Sequence, residues 1–165
     1  MIILSTSDAG TSVALEPMSP EAAEHLSHAL SAIDPWARYG FTASALAAYL
    51  ADDEPGAPRY VIRADGQIAG AVGLRTAWLR GPYLQFLGIL PAYQGAGIGA
   101  LVLQWFEDNA RATGARNLWV SVSAFNFGAM RFYERHGLKQ AAELDNLLQD
   151  GISEILLRKN LCDKK

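Results

Sequence analysis

Three glycines stand close together in the segment YQGAGIGALV, between two apolar runs of the chain. Gly95, Gly97 and Gly99 occupy alternate positions where a predicted strand gives way to a predicted helix. The first amides of a helix have no partners within it, and the helix dipole adds positive potential there. Glycine permits positive φ and leaves room for a phosphate to approach the backbone. The segment, with Gln94 at its mouth, predicts a pyrophosphate site; a plain tight turn before a core helix is the alternative.

Two other phosphate-binding loops do not match this spacing. A dinucleotide-binding turn has the pattern G-x-G-x-x-G and an acidic residue about 20 positions later. Here the pattern is G-x-G-x-G, and the next predicted strand ends in SVSAF without an acid. A P-loop needs Gly-Lys-Ser/Thr, which the segment lacks. Dinucleotide and nucleoside triphosphate sites are therefore excluded here.

Two motifs together resemble the GNAT superfamily of acyl-CoA-dependent N-acyltransferases. The first, Gln/Arg-x-x-Gly-x-Gly/Ala, is met by Gln94, Gly97 and Gly99. The second, Asn-x-x-Ala-x-x-x-Tyr followed by a glycine, is met by Asn126, Ala129, Tyr133 and Gly137. One amphipathic helix and one strand separate the motifs, as in that family. The resemblance covers residues 58–160 and is only topological before them.

The resemblance implies that coenzyme A lies in a V-shaped cleft between the strand before the loop and the strand after the helix. It also implies a bulge in the first of these strands. Gly88 is the expected position, because glycine in a strand often marks a bulge; close packing against a helix is the alternative. The residues expected to bind the cosubstrate acetyl-CoA are Leu87, Gly88, Ile89, Gln94, Gly95, Ala96, Gly97, Ile98, Gly99, Ala100, Asn126 and Tyr133.

On the basis of this resemblance, Tyr133 is predicted to be the general acid. Asn126 lies seven residues before it, so two helical turns put both on one face, and Asn126 also suits a helix cap. Acyl transfer from a thioester expels a thiolate whose conjugate acid has a pKa of about 8.5, if it resembles cysteine. A tyrosine is protonated at neutral pH and can donate to that leaving group. A half-buried core tyrosine is the alternative, and the neighbouring Phe132 is expected in the core.

The strand before the loop departs from the family pattern. Many members carry a glutamate there, and the corresponding residue is Gln85. Strand alternation is expected to place Gln85 on one face with Tyr83, Leu87 and Ile89, so that it lines the cleft. An amide orients a water or an amine but takes up no proton. Gln85 is therefore predicted to be a catalytic-site residue that is not a base.

Two explanations of the missing base stay open. A remote acid could act through water, with Glu143 and Asp145 as candidates. Alternatively no base is needed, because an α-amine has a pKa of about 7.7, against about 10.4 for lysine, and is far more often neutral.

The predicted elements form one α/β (α+β) domain over residues 1–165, with a mixed, mostly antiparallel, splayed sheet flanked by helices. Their order is a short strand, two helices, three meandering strands, a helix, a strand, a helix and a hairpin. Ser19 and Thr42 suit helix caps, and Asp65-Gly66 and Asp150-Gly151 suit hairpin turns.

The composition limits the kinds of partner that the protein is expected to bind. The net charge is −3 without a run of lysine or arginine, which disfavours a nucleic-acid surface. No segment approaches the roughly 18 apolar residues of a membrane span, and the N-terminus lacks a basic region leading into an apolar one. A cytoplasmic location is therefore expected. The single cysteine, Cys162, forms no internal disulfide, the three histidines form no metal site, and exposed aromatics such as Trp78 permit a homodimer.

The leading hypothesis is an N-acetyltransferase that transfers acetyl from acetyl-CoA to a primary amine of a small molecule or peptide by direct attack. Trp36, Tyr39 and Phe41 either line the acceptor pocket or pack in the core. A catalytically inactive CoA-binding or sensor module, and an acyltransferase that uses another acyl-CoA or forms an ester, are the alternatives.

Overall fold

The computed structural model describes residues 1–162. The strands are β1 (Ile2–Thr6), β2 (Ser12–Pro17), β3 (Arg59–Ala64), β4 (Gln67–Trp78), β5 (Gly81–Ile89), β6 (Asn117–Ser123), β7 (Lys139–Gln149) and β8 (Ile152–Asn160). The helices are α1 (Pro20–Ser31), α2 (Trp36–Tyr39), α3 (Ala43–Ala51), α4 (Ile98–Ala112) and α5 (Phe127–Arg135), with a single 3-10 turn at Pro91–Tyr93. The predicted order of elements is confirmed. Strand β1 and the one-turn helix α2 were not predicted.

The strands form one eight-stranded sheet in the order β1-β2-β3-β4-β5-β6-β8-β7. Every neighbouring pair is antiparallel except β5 and β6. These two parallel strands pair only through Tyr83 with Trp119 and Leu84 with Val120, and they separate beyond those residues. The predicted splayed, mostly antiparallel sheet is confirmed.

The helix starts and hairpin turns follow from local chemistry. The Ser19 hydroxyl accepts a hydrogen bond from the amide of Ala22 at the start of α1, at 3.2 Å. The Thr42 hydroxyl does the same for Ala45 in α3, at 3.1 Å. Such caps satisfy amides that have no partner within the helix. Gly151 in the β7–β8 turn has a φ of 80°, which glycine adopts without strain.

Helices cover both faces of the sheet with separate hydrophobic clusters. The first cluster packs α4 and α5 on one face and includes Phe106, Leu103 and Tyr133. The second packs α1 and α3 on the other face and includes Leu30 and Phe86. Burial of each large apolar side chain contributes roughly 1.5–3 kcal/mol, so both layers hold the sheet in place.

The bulge in β5 lies at Gln85, and the prediction that it lies at Gly88 is wrong. Phe86 pairs with Gly73 and Leu84 pairs with the next residue of β4, which leaves Gln85 as the extra residue. Leu84 belongs to the first hydrophobic cluster and Phe86 to the second, so the bulge reverses the alternation of side chains.

The expectation that Tyr83, Gln85, Leu87 and Ile89 share one face is therefore also wrong. Leu87 and Ile89 pack against the first cluster. Tyr83 bonds Ser121 on β6, and Gln85 contacts Tyr49 of α3 on the opposite face. The extra residue accounts for the change of face between Gln85 and Leu87.

Gly88 is required by close packing, which was the alternative explanation for this residue. It pairs regularly with Ala71. A Cβ atom at position 88 would lie 2.7 Å from Leu30 Cδ2 and 2.8 Å from Trp36 Cη2. The Trp36 ring in turn stacks on Phe86 with centroids 4.4 Å apart, so it has little room to move.

Trp78 is half-buried, contrary to the expectation of an exposed ring. Its ring lies 5.0 Å from Tyr83 and 5.4 Å from Trp119, measured between centroids. It therefore carries no argument for a homodimer.

No helix within residues 1–162 combines the length and apolar character needed to cross a membrane. The same residues contain no group of three or more His, Cys, Asp or Glu side chains arranged to hold a metal ion.

We expect Gly88→Ala to lower the free energy of unfolding by about 1–3 kcal/mol, because the added methyl group overpacks the contact with Leu30 and Trp36. Urea denaturation measures the change. Gly128→Ala in α5 is the control, since the nearest atom to its added Cβ would be 3.9 Å away. Alanine is the better helix former by about 1 kcal/mol, so this control should be at least as stable as wild type. A Gly88→Ala protein as stable as wild type would contradict the packing account.

Candidate active site

A cleft of about 340 Å³ opens where β5 and β6 separate. Tyr83, Gln85 and Leu87 of β5 form one wall, and Ser121 and Ser123 of β6 lie on the other. Helix α5 adds Asn126, Ala129 and Tyr133, and the segment between α1 and α3 closes the remaining side. The cleft therefore collects residues from the second predicted motif and from the N-terminal helices, whereas Gln94, Gly97 and Gly99 of the first motif are not among its lining residues.

The glycine loop leads into α4 through a left-handed N-cap. Gly97 has a φ of 79° and Gly95 a φ of 78°, and no side chain caps the helix. Within the described chain, no backbone acceptor is paired with the amides of residues 95–100, whereas the Leu101 amide bonds the Gly97 carbonyl at 3.2 Å. A run of unpaired amides at the positive end of a helix is suited to a phosphate or diphosphate.

Gln94 fastens this loop to the end of β5. Its Nε2 donates a hydrogen bond to the Ile89 carbonyl at 2.9 Å. The Ile89 carbonyl thus points away from β4, and strand alternation directs the backbone groups of Leu87 to the same side. Since β6 has already diverged, these Leu87 groups face the cleft.

Two adjacent residues of α5 connect the glycine loop with the cleft. Phe132 packs under the start of α4, where a Cβ atom on Gly99 would lie 3.4 Å from the Phe132 ring. The next residue, Tyr133, lines the cleft. The two rings contact each other with centroids 5.0 Å apart. Helix α5 therefore fixes the phenol relative to the unpaired amides. The expectation that Phe132 packs against the core is confirmed.

Tyr133 is buried and its phenol is neutral at physiological pH. Burial raises its pKa, and the nearby phenol of Tyr83 raises it further. Asn126 caps α5, with its Oδ1 accepting from the Ala129 amide at 3.1 Å. Asn126 and Tyr133 both line the cleft, so the predicted shared face is confirmed. A buried neutral phenol is a proton donor rather than a base.

Gln85 belongs to a polar network on the opposite wall. The Tyr49 hydroxyl donates to Gln85 Oε1 at 3.4 Å. The guanidinium of Arg59 lies 4.5 Å from the centroid of the Tyr49 ring. Burial raises the pKa of Tyr49, and the charge of Arg59 opposes that shift. The network holds Gln85 against the cleft without supplying a proton acceptor.

Trp36, Tyr39 and Phe41 all line the cleft. Trp36 stacks on Phe86, whereas Tyr39 reaches across the cleft and donates a hydrogen bond to Glu154 Oε1 on β8. Burial, followed by this hydrogen bond, raises the pKa of Tyr39 to about 12. The segment therefore has both proposed properties, since it lines the cleft and also packs against buried rings.

Glu154 is a functional candidate that sequence reasoning missed. Its side chain is 4% exposed, and it lines the cleft from β8 beside Ser123 of β6. The signal was present in ISEILLRK, where one acid interrupts an apolar strand. The two acids proposed instead, Glu143 and Asp145, are exposed on β7 and do not line the cleft, so a role for either as a remote base through water stays a prediction.

Comparisons with known proteins agree with this arrangement. The sequence profile described as "Acetyltransferase (GNAT) family" matches residues 21–138. Streptothricin acetyltransferase of Streptomyces lavendulae is 32% identical over 91 residues, which cover 54% of this chain and 48% of that protein. The chain thus matches about half the length of this curated relative.

Solved structures share the fold. An acetyltransferase from Thermus thermophilus superposes with a TM-score of 0.73 at 20% identity, covering 90% of this chain and 97% of the other. A Bacillus anthracis protein assigned as a streptothricin acetyltransferase, in complex with acetyl coenzyme A, superposes with a TM-score of 0.59 at 17% identity. That superposition covers 66% of this chain and 65% of the other.

We expect the amides of Gly95, Gly97 and Gly99 to exchange hydrogen rapidly in the ligand-free protein, because no backbone acceptor protects them. Inorganic pyrophosphate should slow their exchange about tenfold or more by accepting these hydrogen bonds. Hydrogen exchange followed by NMR measures both states. The Leu101 amide, already bonded to Gly97, is the internal control and should change little. Slow exchange of the loop amides before any anion is added would contradict the account of this loop.

Proposed function

The chain belongs to the acetyltransferase (GNAT) family, and we propose that it transfers the acetyl group of acetyl-CoA to a primary amine of a small molecule or peptide. The observation that carries the proposal is the placement of a buried neutral phenol beside a run of unpaired helix amides. Phe132 and Tyr133 make this connection, since one packs under the glycine loop and the other lines the cleft.

The glycine loop would bind the diphosphate of coenzyme A. The unpaired amides of residues 95–100 supply donors, and the start of α4 supplies positive potential. Glycine at positions 95 and 97 allows the left-handed backbone that this loop needs. These features suit a diphosphate even though the loop contains no lysine or arginine.

The pantetheine arm would lie along β5 where β6 has diverged. The arm contains amide groups, and the backbone groups of Leu87 face the space that a paired strand would otherwise fill. Pairing of the arm with β5 would aim the thioester toward the cleft that Tyr133 lines. A backbone N–H of the bulged strand would then stabilise the oxyanion of the tetrahedral intermediate.

The transfer itself requires attack by a neutral amine. The amine nitrogen forms a C–N bond with the thioester carbonyl carbon, and the C–S bond then breaks. Tyr133 donates its phenolic proton to the departing thiolate and is reprotonated by the proton that the nitrogen loses. Because the acyl group passes directly to the amine, no serine or cysteine nucleophile is needed.

The acceptor, a cytoplasmic location and a homodimer remain predictions within this proposal. The relative from Streptomyces lavendulae, named for streptothricin, suggests that streptothricin-like amines belong in the panel of acceptors. The panel should also include peptides with a free α-amine, because that group needs the least help from a base.

We expect Tyr133→Phe to lower kcat for thiol release from acetyl-CoA about a hundredfold, since the variant lacks the proton donor. Coenzyme A binding, measured by calorimetry, should change less than threefold, about 0.7 kcal/mol or less. Tyr60→Phe is the matched control, because Tyr60 packs against Trp105 away from the cleft and its loss should leave kcat unchanged.

Three outcomes separate the alternatives. Thiol release that is unaffected in Tyr133→Phe would exclude the assigned role of this phenol. Coenzyme A binding without thiol release for any amine would favour a binding or sensor module. A folded protein that gives no heat with coenzyme A or acetyl-CoA would exclude the proposed function altogether.

A further inference from the structure

Within residues 1–162, Glu154 is a buried acid without a positively charged partner. Its side chain is 4% exposed, and its hydrogen-bond partner is the Tyr39 hydroxyl. None of the ion pairs formed within residues 1–162 includes it. Burial of an unpaired charge is costly, so a carboxylate retained in such a place calls for a positively charged ligand.

The groups around Glu154 do not neutralise it. From α2 the Tyr39 phenol faces it, and from β5 the phenol of Tyr83 is close enough for the Glu154 charge to raise its pKa, after the larger effect of burial. The register neighbours on β6 and β7 are Ser123 and Leu144, which carry no charge. Arg38 of α2, the neighbour of Tyr39 in the chain, is exposed and lies over the Phe125 ring at 4.2 Å.

The walls beside Glu154 also suit a cation. Tyr39, Phe41 and Tyr83 line the same cleft as Glu154, and the Phe41 ring lies 6.0 Å from that of Tyr39, measured between centroids. An ammonium group gains from aromatic faces as well as from a carboxylate. The opposite wall offers Gln85, whose amide accepts no proton.

We propose that Glu154 binds the ammonium group of the acceptor and takes its proton, which makes Glu154 the general base of the reaction. The inference rests on the proposed function and identifies the acceptor as an amine that is cationic before it reacts. It places the base on β8 rather than on β5, where many family members carry a glutamate and this chain has Gln85.

The proton balance is complete without another reagent. The ammonium R–NH3⁺ gives one proton to the Glu154 carboxylate and becomes R–NH2. The amine attacks the thioester, the C–N bond forms and the C–S bond breaks. Tyr133 protonates the thiolate, and the second proton leaves the nitrogen and restores the Tyr133 phenol, so the products are an amide and a free thiol. Glu154 then releases its proton to solvent.

The dependence of kcat/KM on pH tests this step, using the panel amine that gives the fastest thiol release. With a carboxylate base, kcat/KM for total amine is flat across neutrality for an amine whose pKa lies well above 7. Glu154→Gln keeps a hydrogen-bond acceptor for Tyr39 but takes no proton, so only the neutral amine reacts. For an amine with a pKa of about 10.4, the variant rate should rise about tenfold per pH unit across neutrality and lie about a hundredfold below wild type at pH 7.

Glu143→Gln is the matched control, because it makes the same change on the neighbouring strand at an exposed position. It should keep the flat profile. A wild-type profile that already rises tenfold per pH unit, or a flat profile in Glu154→Gln, would overturn the proposal. A merely structural role for Glu154 would lower the rate without changing this slope.

A binding measurement tests the ammonium-binding part of the proposal independently of turnover. We expect the ligand-free protein to bind pentylammonium at least tenfold more tightly than pentan-1-ol, as measured by NMR titration at neutral pH. Glu154→Gln should lose this preference, and Tyr39→Phe, which frees the carboxylate from its phenol, should keep it. Retention of the preference in Glu154→Gln would overturn the proposal. Absence of thiol release from wild type would refute the proposed function and with it the role of Glu154 as a base, and this binding result would still decide whether Glu154 binds an ammonium group.

Discussion

The early end of pairing between β5 and β6 is the constraint on which the site depends. Parallel strands need a crossover between them, and here that crossover is α4 with its glycine loop. Pairing stops after Tyr83 and Leu84, and Gln85 then adds an extra residue that reverses the alternation of β5. Buried backbone groups that lose a strand need another partner. The divergence therefore creates both the cleft and an edge suited to a ligand with peptide-like groups.

Charge is divided between two regions of the site. The start of α4 carries unpaired amides and the positive end of a helix dipole, whereas the cleft contains the buried carboxylate of Glu154. Between them stands Tyr133, kept neutral by burial. A diphosphate would be attracted to the start of α4 and an ammonium group to the cleft, so the two substrates would bind at different ends of the site. The neutral phenol between them is left free to act as a donor.

Sequence reasoning predicted the parts of this fold that local chemistry determines. The caps at Ser19 and Thr42, the Asp-Gly turns and the order of elements depend on neighbouring residues, and the structure confirms them. The bulge was misplaced because Gly88 has two possible reasons to be glycine. Its true reason is contact with Leu30 and Trp36, which lie more than fifty residues away in the chain.

The candidate base was missed for a related reason. Glu154 looks like an ordinary strand residue until β8 is placed beside β6 and α2 is folded over the cleft. Only then does a bond between Tyr39 and Glu154, 115 residues apart, become visible. The one-turn helix α2 lies in a stretch that sequence patterns mark only as a break. The elements that complete the cleft are thus those with the weakest local signal.

The different environments of β5 and β8 explain why a base on β8 suits this chain. A carboxylate at position 85 would lie beside Tyr49, whose ring carries the guanidinium of Arg59. A neighbouring positive charge favours the ionised form of a carboxyl group and makes it a weaker base. Glu154 instead contacts a phenol, and within residues 1–162 no fixed cation lies at ion-pair distance to compete with an incoming ammonium group. A residue that is not a base at position 85 and an acid at position 154 are therefore both consistent with the charges around them.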